Sequence, residues 1–268
     1  DQRFEAIGRL GGPLGVTAPL PYFAPSRPRV LAHRGLATEA PENTLLAFAH
    51  AVALGVAHLE TDVHVSADGV AVIAHDPDLG RVAGRGARVG DLTVAELAAV
   101  DLGEGQHMPT LAEALDAFPE TRFNIDLKVA GAVAPTVSAV READAVDRVL
   151  LTSFSERRRR AALRLLPEVA TSASGPRFAA ALLAASSGFP PGVRGALRGV
   201  HAVQIPARAL GLDTVSPARL AAYRRAGVEV HVWTVNDELE MRRLLGLGVD
   251  GIVTDRADIA VEVLRSLA

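Results

Sequence analysis

The sequence predicts a single α/β domain folded as a (β/α)8 TIM barrel, and three observations support this prediction. The chain has 268 residues, which is the usual size of one such barrel. Short β-type runs alternate with helical stretches along most of the sequence. There are eight runs, at residues 29–33, 57–63, 122–128, 149–153, 169–172, 200–205, 228–235 and 251–254. Eight strands separated by helices indicate a closed parallel barrel rather than an open sheet.

Several helix starts carry their own signals. A threonine followed three residues later by a glutamate has the spacing of a capping box, and serine followed by proline is typical of an N-cap with proline in the first turn. These pairs are Thr93 with Glu96, Thr110 with Glu113, and Ser216 with Pro217. Residues 1–28, in contrast, carry many prolines and glycines and little periodicity. We therefore expect an irregular lead-in over residues 1–28, packed over one end of a catalytic domain that spans residues 29–268.

One apolar run breaks the alternation of strand and helix. Residues 70–74 follow the second strand after only four residues, whereas a parallel crossover needs a dozen or more. The run must therefore return as an antiparallel hairpin, in which residues 63–66 pair with residues 70–74. A turn centred on Ala67-Asp68 would place His75 level with Glu60. The hairpin opens a small insertion, about residues 64–110, before the third barrel strand.

Composition excludes several classes of protein. The net charge of −3 argues against a general nucleic-acid binder, and the absence of cysteine excludes disulfides, thiolate metal sites and a cysteine nucleophile. No stretch of 18 apolar residues runs free of charges and of proline or glycine breaks, so we expect no stable membrane insertion. We expect a cytoplasmic protein. Because the chain begins at Asp1 rather than Met, secretion after removal of a leader is the alternative.

Polar residues cluster at the predicted ends of the barrel strands, where TIM barrels carry their reactive groups. The first strand ends in His33-Arg34. The other strand-end residues are Glu60 and Asp62 on the second strand, Asp126 and Lys128 on the third, Trp233 on the seventh and Asp255 on the eighth. A spacing of two residues along a strand puts both side chains on one face of the sheet. Glu60 and Asp62 should therefore point to the same side, and so should Asp126 and Lys128.

Three converging carboxylates would repel each other strongly, and a hard divalent cation would relieve that repulsion. Oxygen ligands suit Mg²⁺ or Ca²⁺, so Glu60, Asp62 and Asp126 are candidate metal ligands. With the cation, Arg34 and Lys128 added, the site carries a net charge of about +1, which suits one phosphodiester anion. Arginine can bind phosphate oxygens as a two-pronged donor and lysine as a point charge.

Phosphodiester cleavage also needs a base for the nucleophile and an acid for the leaving alkoxide. Histidine serves both roles near neutral pH, and His33 and His75 are predicted to reach the barrel mouth. The two histidines are therefore candidates for the base and the acid of phosphodiester cleavage.

The ordered motifs resemble the glycerophosphodiester phosphodiesterase family, a group of phospholipase-C-like TIM-barrel phosphodiesterases. Together these motifs are specific, and they run in family order from residue 30 to the C-terminus. They are His33-Arg34-Gly35, Pro41-Glu42-Asn43-Thr44, Glu60-Thr61-Asp62-Val63, Asp68-Gly69, His75-Asp76, Asp91-Leu92-Thr93, Asn124-Ile125-Asp126-Leu127-Lys128, Trp233-Thr234-Val235-Asn236 and Asp250-Gly251-Ile252-Val253-Thr254-Asp255. The resemblance implies metal-dependent hydrolysis of glycerophosphodiesters to glycerol 3-phosphate and an alcohol.

The resemblance also implies a role for each candidate residue. It implies His33 and His75 as the acid/base pair, Glu60 and Asp62 as metal ligands, Arg34 on the phosphate, and Lys128 with Trp233 in the substrate pocket. The chain departs from the family at Asp126, where glutamate is usual, so the geometry of the third ligand differs. The implied partner is a small glycerophosphodiester, and the oligomeric state is left open.

Three other functions fit parts of the pattern. The same site could act on larger lipids as a lysophospholipase-D-like or sphingomyelinase-D-like enzyme, with residues 178–193 forming an apolar lip. A non-catalytic phosphodiester-binding barrel would be expected to have lost a histidine, and both are present. A phosphate-binding barrel isomerase would need a glycine-rich phosphate loop after the seventh or eighth strand, which the sequence lacks.

Overall fold

The computed structural model describes residues 20–209 and 211–267. The strands are β1 (Arg29–His33), β2 (His58–Val65), β3 (Ala71–Ile73), β4 (Arg122–Leu127), β5 (Val149–Thr152), β6 (Ala170–Thr171), β7 (Ala202–Pro206), β8 (Arg208–Ala209), β9 (Leu212–Asp213), β10 (Glu229–Trp233) and β11 (Gly251–Thr254). The α-helices are α1 (Leu45–Ala53), α2 (Gly80–Ala83), α3 (Val94–Ala98), α4 (Leu111–Ala117), α5 (Val133–Glu142), α6 (Glu156–Leu165), α7 (Gly175–Ser186), α8 (Pro190–Ala196), α9 (Pro217–Arg225), α10 (Glu238–Leu247) and α11 (Ala257–Leu267).

Eight parallel strands form the barrel, in the spatial order β6-β5-β4-β2-β1-β11-β10-β7. A parallel bridge between Ser172 and Ala202 joins the two ends of this order. The predicted TIM barrel is confirmed, and the eight predicted runs coincide with its strands to within two residues at each end. Among the strands of the described residues, only β3 and the short β8–β9 pair are antiparallel to a neighbour.

Alternation along each strand separates the apolar core from the barrel interior. On β2, Leu59 and Val63 belong to the main core cluster between the strands and the helices. Glu60 and Asp62, which lie between them in sequence, line the cavity at the barrel mouth. Because successive side chains of a strand point to opposite faces, one short segment supplies both the core packing and the acidic groups.

The described part of the lead-in closes the opposite end of the barrel. Tyr22 and Phe23 lie in a short 3₁₀ helix (Pro21–Phe23) and are buried. They pack in a cluster with Leu150, Ala170 and Ala202, which come from three barrel strands. Residues 1–19 lie outside the described residues, so the predicted boundary at residue 28 stays a prediction.

The hairpin after β2 is confirmed, but its predicted register was wrong by one residue. Val63 pairs with Ile73 and Val65 with Ala71, so a continued ladder would set His75 opposite Thr61 rather than Glu60. The turn centres on Asp68 instead of Ala67-Asp68, because Gly69 takes a positive φ of 84° and makes a three-residue loop. Because β3 ends at Ile73, the alternation of side chains along the strand does not fix the direction of His75. His75 therefore still lines the cavity despite the shifted register.

All three predicted helix caps form. Thr93 and Thr110 each make a complete capping box, and the side chain of Ser216 caps α9, whose first residue is Pro217. Among the described residues, no helix combines the length and the hydropathy that a membrane crossing requires.

Gly35 in the His33-Arg34-Gly35 motif is required by a close approach of the chain to α1. Its φ is +86°, and a Cβ placed on it would lie 2.7 Å from the carbonyl carbon of Ala47. Real Cβ atoms essentially never come this near to backbone, and the left-handed conformation disfavours any side chain. The glycine therefore lets the chain after β1 turn tightly against the first turn of α1.

We predict that Gly35→Ala lowers the free energy of unfolding by roughly 3 kcal/mol or more, since it adds a backbone clash to the left-handed strain. Gly55→Ala is the matched control, because Gly55 has φ +88° and no atom lies within 4 Å of the point that an added Cβ would occupy. The control should lose only roughly 1 kcal/mol. Urea denaturation of the three proteins measures both values, and equal losses at the two positions would contradict the close approach.

Candidate active site

All eight residues that the sequence singles out line one cavity at the C-terminal ends of the barrel strands. The cavity has a volume of about 460 Å³. The eight residues are His33, Arg34, Glu60, Asp62, His75, Asp126, Lys128 and Trp233. The barrel topology brings them together from β1, β2 and β4, from the segment after β3, and from β10. They form a single candidate site.

The three carboxylates lie side by side on two neighbouring strands. Asp62 of β2 is the register partner of Asp126 of β4, and Glu60 lies one step below Asp62 on the same face. All three are at least nine-tenths buried, with exposures of 7%, 2% and 6% for Glu60, Asp62 and Asp126. Burial of neighbouring like charges costs free energy unless cations compensate them.

Two cationic side chains supply part of the compensation. The Nζ atom of Lys128 lies 2.7 Å from Oδ1 of Asp62 and 2.8 Å from Oδ2 of Asp126. The Nε atom of Arg34 lies 3.3 Å from the other oxygen of Asp62. Lys128 is the only lysine in the chain, and it bridges the two aspartates.

Glu60 is the carboxylate that these cations leave least compensated. Burial first, and the charge of Asp62 second, raise the pKa of Glu60 well above its ordinary value. Burial also raises the pKa of Asp126, against the opposing charge of Lys128. A further positive charge would therefore be needed to stabilise the cluster with all three carboxylates ionised.

The donor atoms at the site suit a hard divalent cation. Oε2 of Glu60 and Oδ1 of Asp126 are buried and have no hydrogen-bond partner among the described residues. Carboxylate oxygens are the ligands that Mg²⁺ and Ca²⁺ prefer. Within residues 20–209 and 211–267, no three acidic or histidine groups stand at metal-binding spacing as they are placed. In this arrangement the ammonium of Lys128 lies between Asp62 and Asp126.

His33 is held by a carboxylate to which the sequence alone assigns no role. Its Nδ1 lies 2.6 Å from Oδ1 of Asp255, at the end of β11, while its Nε2 lies 3.8 Å from Oε2 of Glu60. Asn236 donates a hydrogen bond to the second oxygen of Asp255. Burial lowers the pKa of His33, but the hydrogen bond to Asp255 and the charge of Glu60 outweigh burial and raise it. The imidazole is therefore oriented through Nδ1, which leaves Nε2 for the cavity.

His75 has the same kind of support on the other side of the cavity. Its Nδ1 lies 2.8 Å from Oδ1 of the adjacent Asp76. The carbonyl oxygen of His75 lies 3.2 Å from Nε2 of His64, a buried residue of β2, which fixes the backbone as well as the ring. In both histidines, Nδ1 is therefore within hydrogen-bonding distance of a carboxylate oxygen.

One arginine of the insertion joins the partners of His75 and Arg34. The Nε of Arg81, on α2, lies 2.7 Å from Asp76, and its terminal nitrogens donate to both oxygens of Glu42 at 2.9 and 2.6 Å. Glu42 in turn accepts a hydrogen bond from Arg34 at 3.0 Å. Arg81 therefore couples the carboxylate behind His75 to the carboxylate behind Arg34.

The sequence contains part of the signal for these supporting groups. Asp76, Glu42 and Asp255 all stand inside the motifs given above, and Asp255 is a polar strand end for which the sequence predicts no role. Arg81 stands in no motif, and nothing in its sequence neighbourhood marks it. Its position follows only from the way the insertion folds back over the barrel mouth.

The fold and the cavity define a TIM-barrel enzyme with an acidic, histidine-bearing mouth. The sequence model of the Glycerophosphoryl diester phosphodiesterase family matches residues 33–259, and the chain belongs to this family. It is an enzyme, a phosphoric diester hydrolase.

Relatives of the chain agree with this assignment over most of their lengths. The chain is 43% identical over 239 residues to the protein named "Probable glycerophosphodiester phosphodiesterase 2" of Mycobacterium tuberculosis, covering 87% of this chain and 89% of that protein. A crystal structure of a glycerophosphodiester phosphodiesterase from Agrobacterium tumefaciens superposes with a TM-score of 0.75 at 27% identity, covering 88% and 99% of the two chains. An Oleispira antarctica phosphodiesterase in complex with the product sn-glycerol-3-phosphate gives a TM-score of 0.75 at 25% identity, covering 89% and 97%.

We predict that Arg81→Met lowers kcat/KM by about tenfold, because it frees both Asp76 and Glu42 from the groups that they orient. The melting temperature should change little, since Arg81 is exposed and surface ion pairs contribute little stability. Arg85→Met, at an exposed arginine of the same segment, is the matched control and should keep full activity. Equal kinetics in Arg81→Met and wild type would show that the coupling has no functional role.

Proposed function

We propose that the protein hydrolyses glycerophosphodiesters to glycerol 3-phosphate and an alcohol, with His33 and His75 as the acid/base pair. The observation that carries this proposal is the shared geometry of the two histidines. Each has its Nδ1 on a carboxylate, at 2.6 Å for His33 and 2.8 Å for His75, and both line the cavity that contains the buried acidic cluster. A ring oriented in this way exchanges protons through Nε2.

In this proposal the two rings act on opposite ends of the cleaved bond. One histidine takes the proton from the nucleophile, which is water or the 2-hydroxyl of the substrate glycerol. If the 2-hydroxyl attacks, a cyclic phosphate forms, and one water then opens it to glycerol 3-phosphate. The other histidine donates a proton to the leaving alkoxide. Asp255 and Asp76 stabilise the protonated forms of His33 and His75, because each carboxylate accepts a hydrogen bond from the ring.

Phosphate recognition falls to the cationic side chains of the cavity. The guanidinium of Arg34 contacts Asp62 through Nε and Glu42 through one terminal nitrogen. Its remaining N–H groups can donate hydrogen bonds to phosphate oxygens. Lys128 supplies a compact positive charge beside the same position. Trp233, on the opposite side of the cavity, bounds the space for the organic part of the substrate.

Glu60, Asp62 and Asp126 would hold one divalent cation, Mg²⁺ or Ca²⁺. The support is the buried, unpartnered oxygens of Glu60 and Asp126 together with the all-oxygen donor set. When bound, such a cation neutralises phosphate charge and polarises a phosphoryl oxygen. Asp126 should contribute less than Glu60 and Asp62, because it is shorter than the usual glutamate and already carries the ion pair with Lys128.

We predict that the purified protein with Mg²⁺ or Ca²⁺ releases glycerol 3-phosphate and choline from glycerophosphocholine in equal amounts, and that a chelator abolishes this turnover. His33→Ala and His75→Ala should each lose at least about 100-fold in kcat, the usual scale of acid–base catalysis. His107→Ala is the matched control, because His107 is exposed and lies outside the cavity lining. Near wild-type rates in either of the first two variants would remove that histidine from the mechanism.

A further inference from the structure

Four consecutive arginines in the first turns of α6 have three different environments. They are Arg157, Arg158, Arg159 and Arg160. Arg157 and Arg160 are exposed, as expected of the solvated face of a helix. Arg159 is 3% exposed and binds both oxygens of Glu156, at 2.8 and 2.9 Å. Arg158 is half-buried and has no carboxylate partner among the described residues.

One hydrogen bond fixes the guanidinium of Arg158 at the rim of the active-site cavity. Its Nε donates to Oγ of Ser153 at 2.9 Å. Ser153 follows β5 directly and belongs to the cavity lining, and its Oγ donates to the carbonyl oxygen of Leu127 on β4 at 2.8 Å. The terminal nitrogens of Arg158 have no hydrogen-bond partner within the described part of the chain. A guanidinium anchored through Nε therefore keeps two parallel donors for an anion.

The other cations at the cavity are already paired, whereas the charge of Arg158 is not. The ammonium of Lys128 lies on Asp62 and Asp126, and Arg34 contacts Asp62 as well. The charge of Arg158 also acts on the acidic cluster: burial dominates and raises the pKa of Asp126, while Lys128 and, more weakly, Arg158 oppose that rise. Arg158 thus lies close enough to the cluster to act on the same substrate.

We propose that Arg158 binds a second anionic group of the substrate, a carboxylate or a phosphate carried by the leaving alcohol. The inference rests on the proposed function, because the phosphodiester must occupy the cavity to bring this group to the rim. The glycerol half of a glycerophosphodiester carries only hydroxyl groups, so an anion beyond the phosphodiester belongs to the alcohol. Arg158 would supply the positive charge that this second anion needs.

The test compares glycerophosphoserine with glycerophosphoethanolamine, whose alcohol halves differ by one carboxylate. In the wild type, kcat/KM should be about fivefold higher for the serine diester, the scale of a partly exposed charge-assisted contact. Arg158→Met keeps much of the apolar stem but removes the guanidinium, so it should abolish this preference. Arg158→Lys keeps the charge and loses the two-pronged geometry, so it should give an intermediate ratio.

Arg157→Met is the matched control. Arg157 is exposed on the same helix, and its side chain makes no hydrogen bond to a cavity-lining residue within the described ranges. The control should keep the wild-type ratio of kcat/KM for the two diesters. Higher ionic strength should reduce the preference of the wild type, because salt screens a contact at the rim.

The outcomes separate this inference from the proposed function. A preference for the serine diester that Arg158→Met removes and Arg157→Met keeps supports the inference. Turnover of both diesters without a preference, or a preference that survives in Arg158→Met, would overturn it and leave the proposed function standing. Equal losses on the two substrates in Arg158→Met would assign the residue to the shared phosphodiester or to the fold, and would also overturn it. Absence of turnover on both diesters would overturn the proposed function and this inference together.

Discussion

The rest of the site depends on the burial of three carboxylates at the mouth of one barrel. Glu60, Asp62 and Asp126 are almost fully withdrawn from water, and like charges so placed must be neutralised by cations or by protons. Lys128 bridges the two aspartates and Arg34 reaches Asp62, which leaves Oε2 of Glu60 and Oδ1 of Asp126 without a hydrogen-bond partner among the described residues. The same deficit of positive charge would attract a divalent cation and, with it, the phosphate of a substrate.

A second layer of carboxylates orients the groups around this cluster. Asp255, Asp76 and Glu42 each hold one functional side chain, and Arg81 connects two of the three. The barrel strands fix the acidic cluster, whereas the hairpin and the insertion bring His75 and Arg81 over it. Two structural layers therefore meet at one cavity. Strand register sets the acidic cluster, while the supporting carboxylates come from the end of β11 (Asp255), the segment before α1 (Glu42) and the insertion (Asp76).

The sequence predicted the barrel and the first layer because both follow from short-range rules. Strand alternation places Glu60 with Asp62, and Asp126 with Lys128, on the interior face, and strand ends in a TIM barrel meet at one mouth. The hairpin followed from a connection too short for a crossover, but its register was off by one because Gly69 lengthens the turn. The contacts of Arg81 with Glu42, 39 residues away in sequence, depend on the tertiary path of the insertion, which no local pattern encodes.

The most direct test of a cation at the acidic cluster is the thermal unfolding of the protein without substrate, with and without Mg²⁺ or Ca²⁺ at constant ionic strength. A ligand that binds only the native state raises Tm, so the wild type should show a cation-dependent increase. Glu60→Gln, which keeps the shape and removes one buried charge, should melt higher than the cation-free wild type and should lose most of the response. No response to either cation in the wild type, or an undiminished response in Glu60→Gln, would contradict a metal site at these carboxylates.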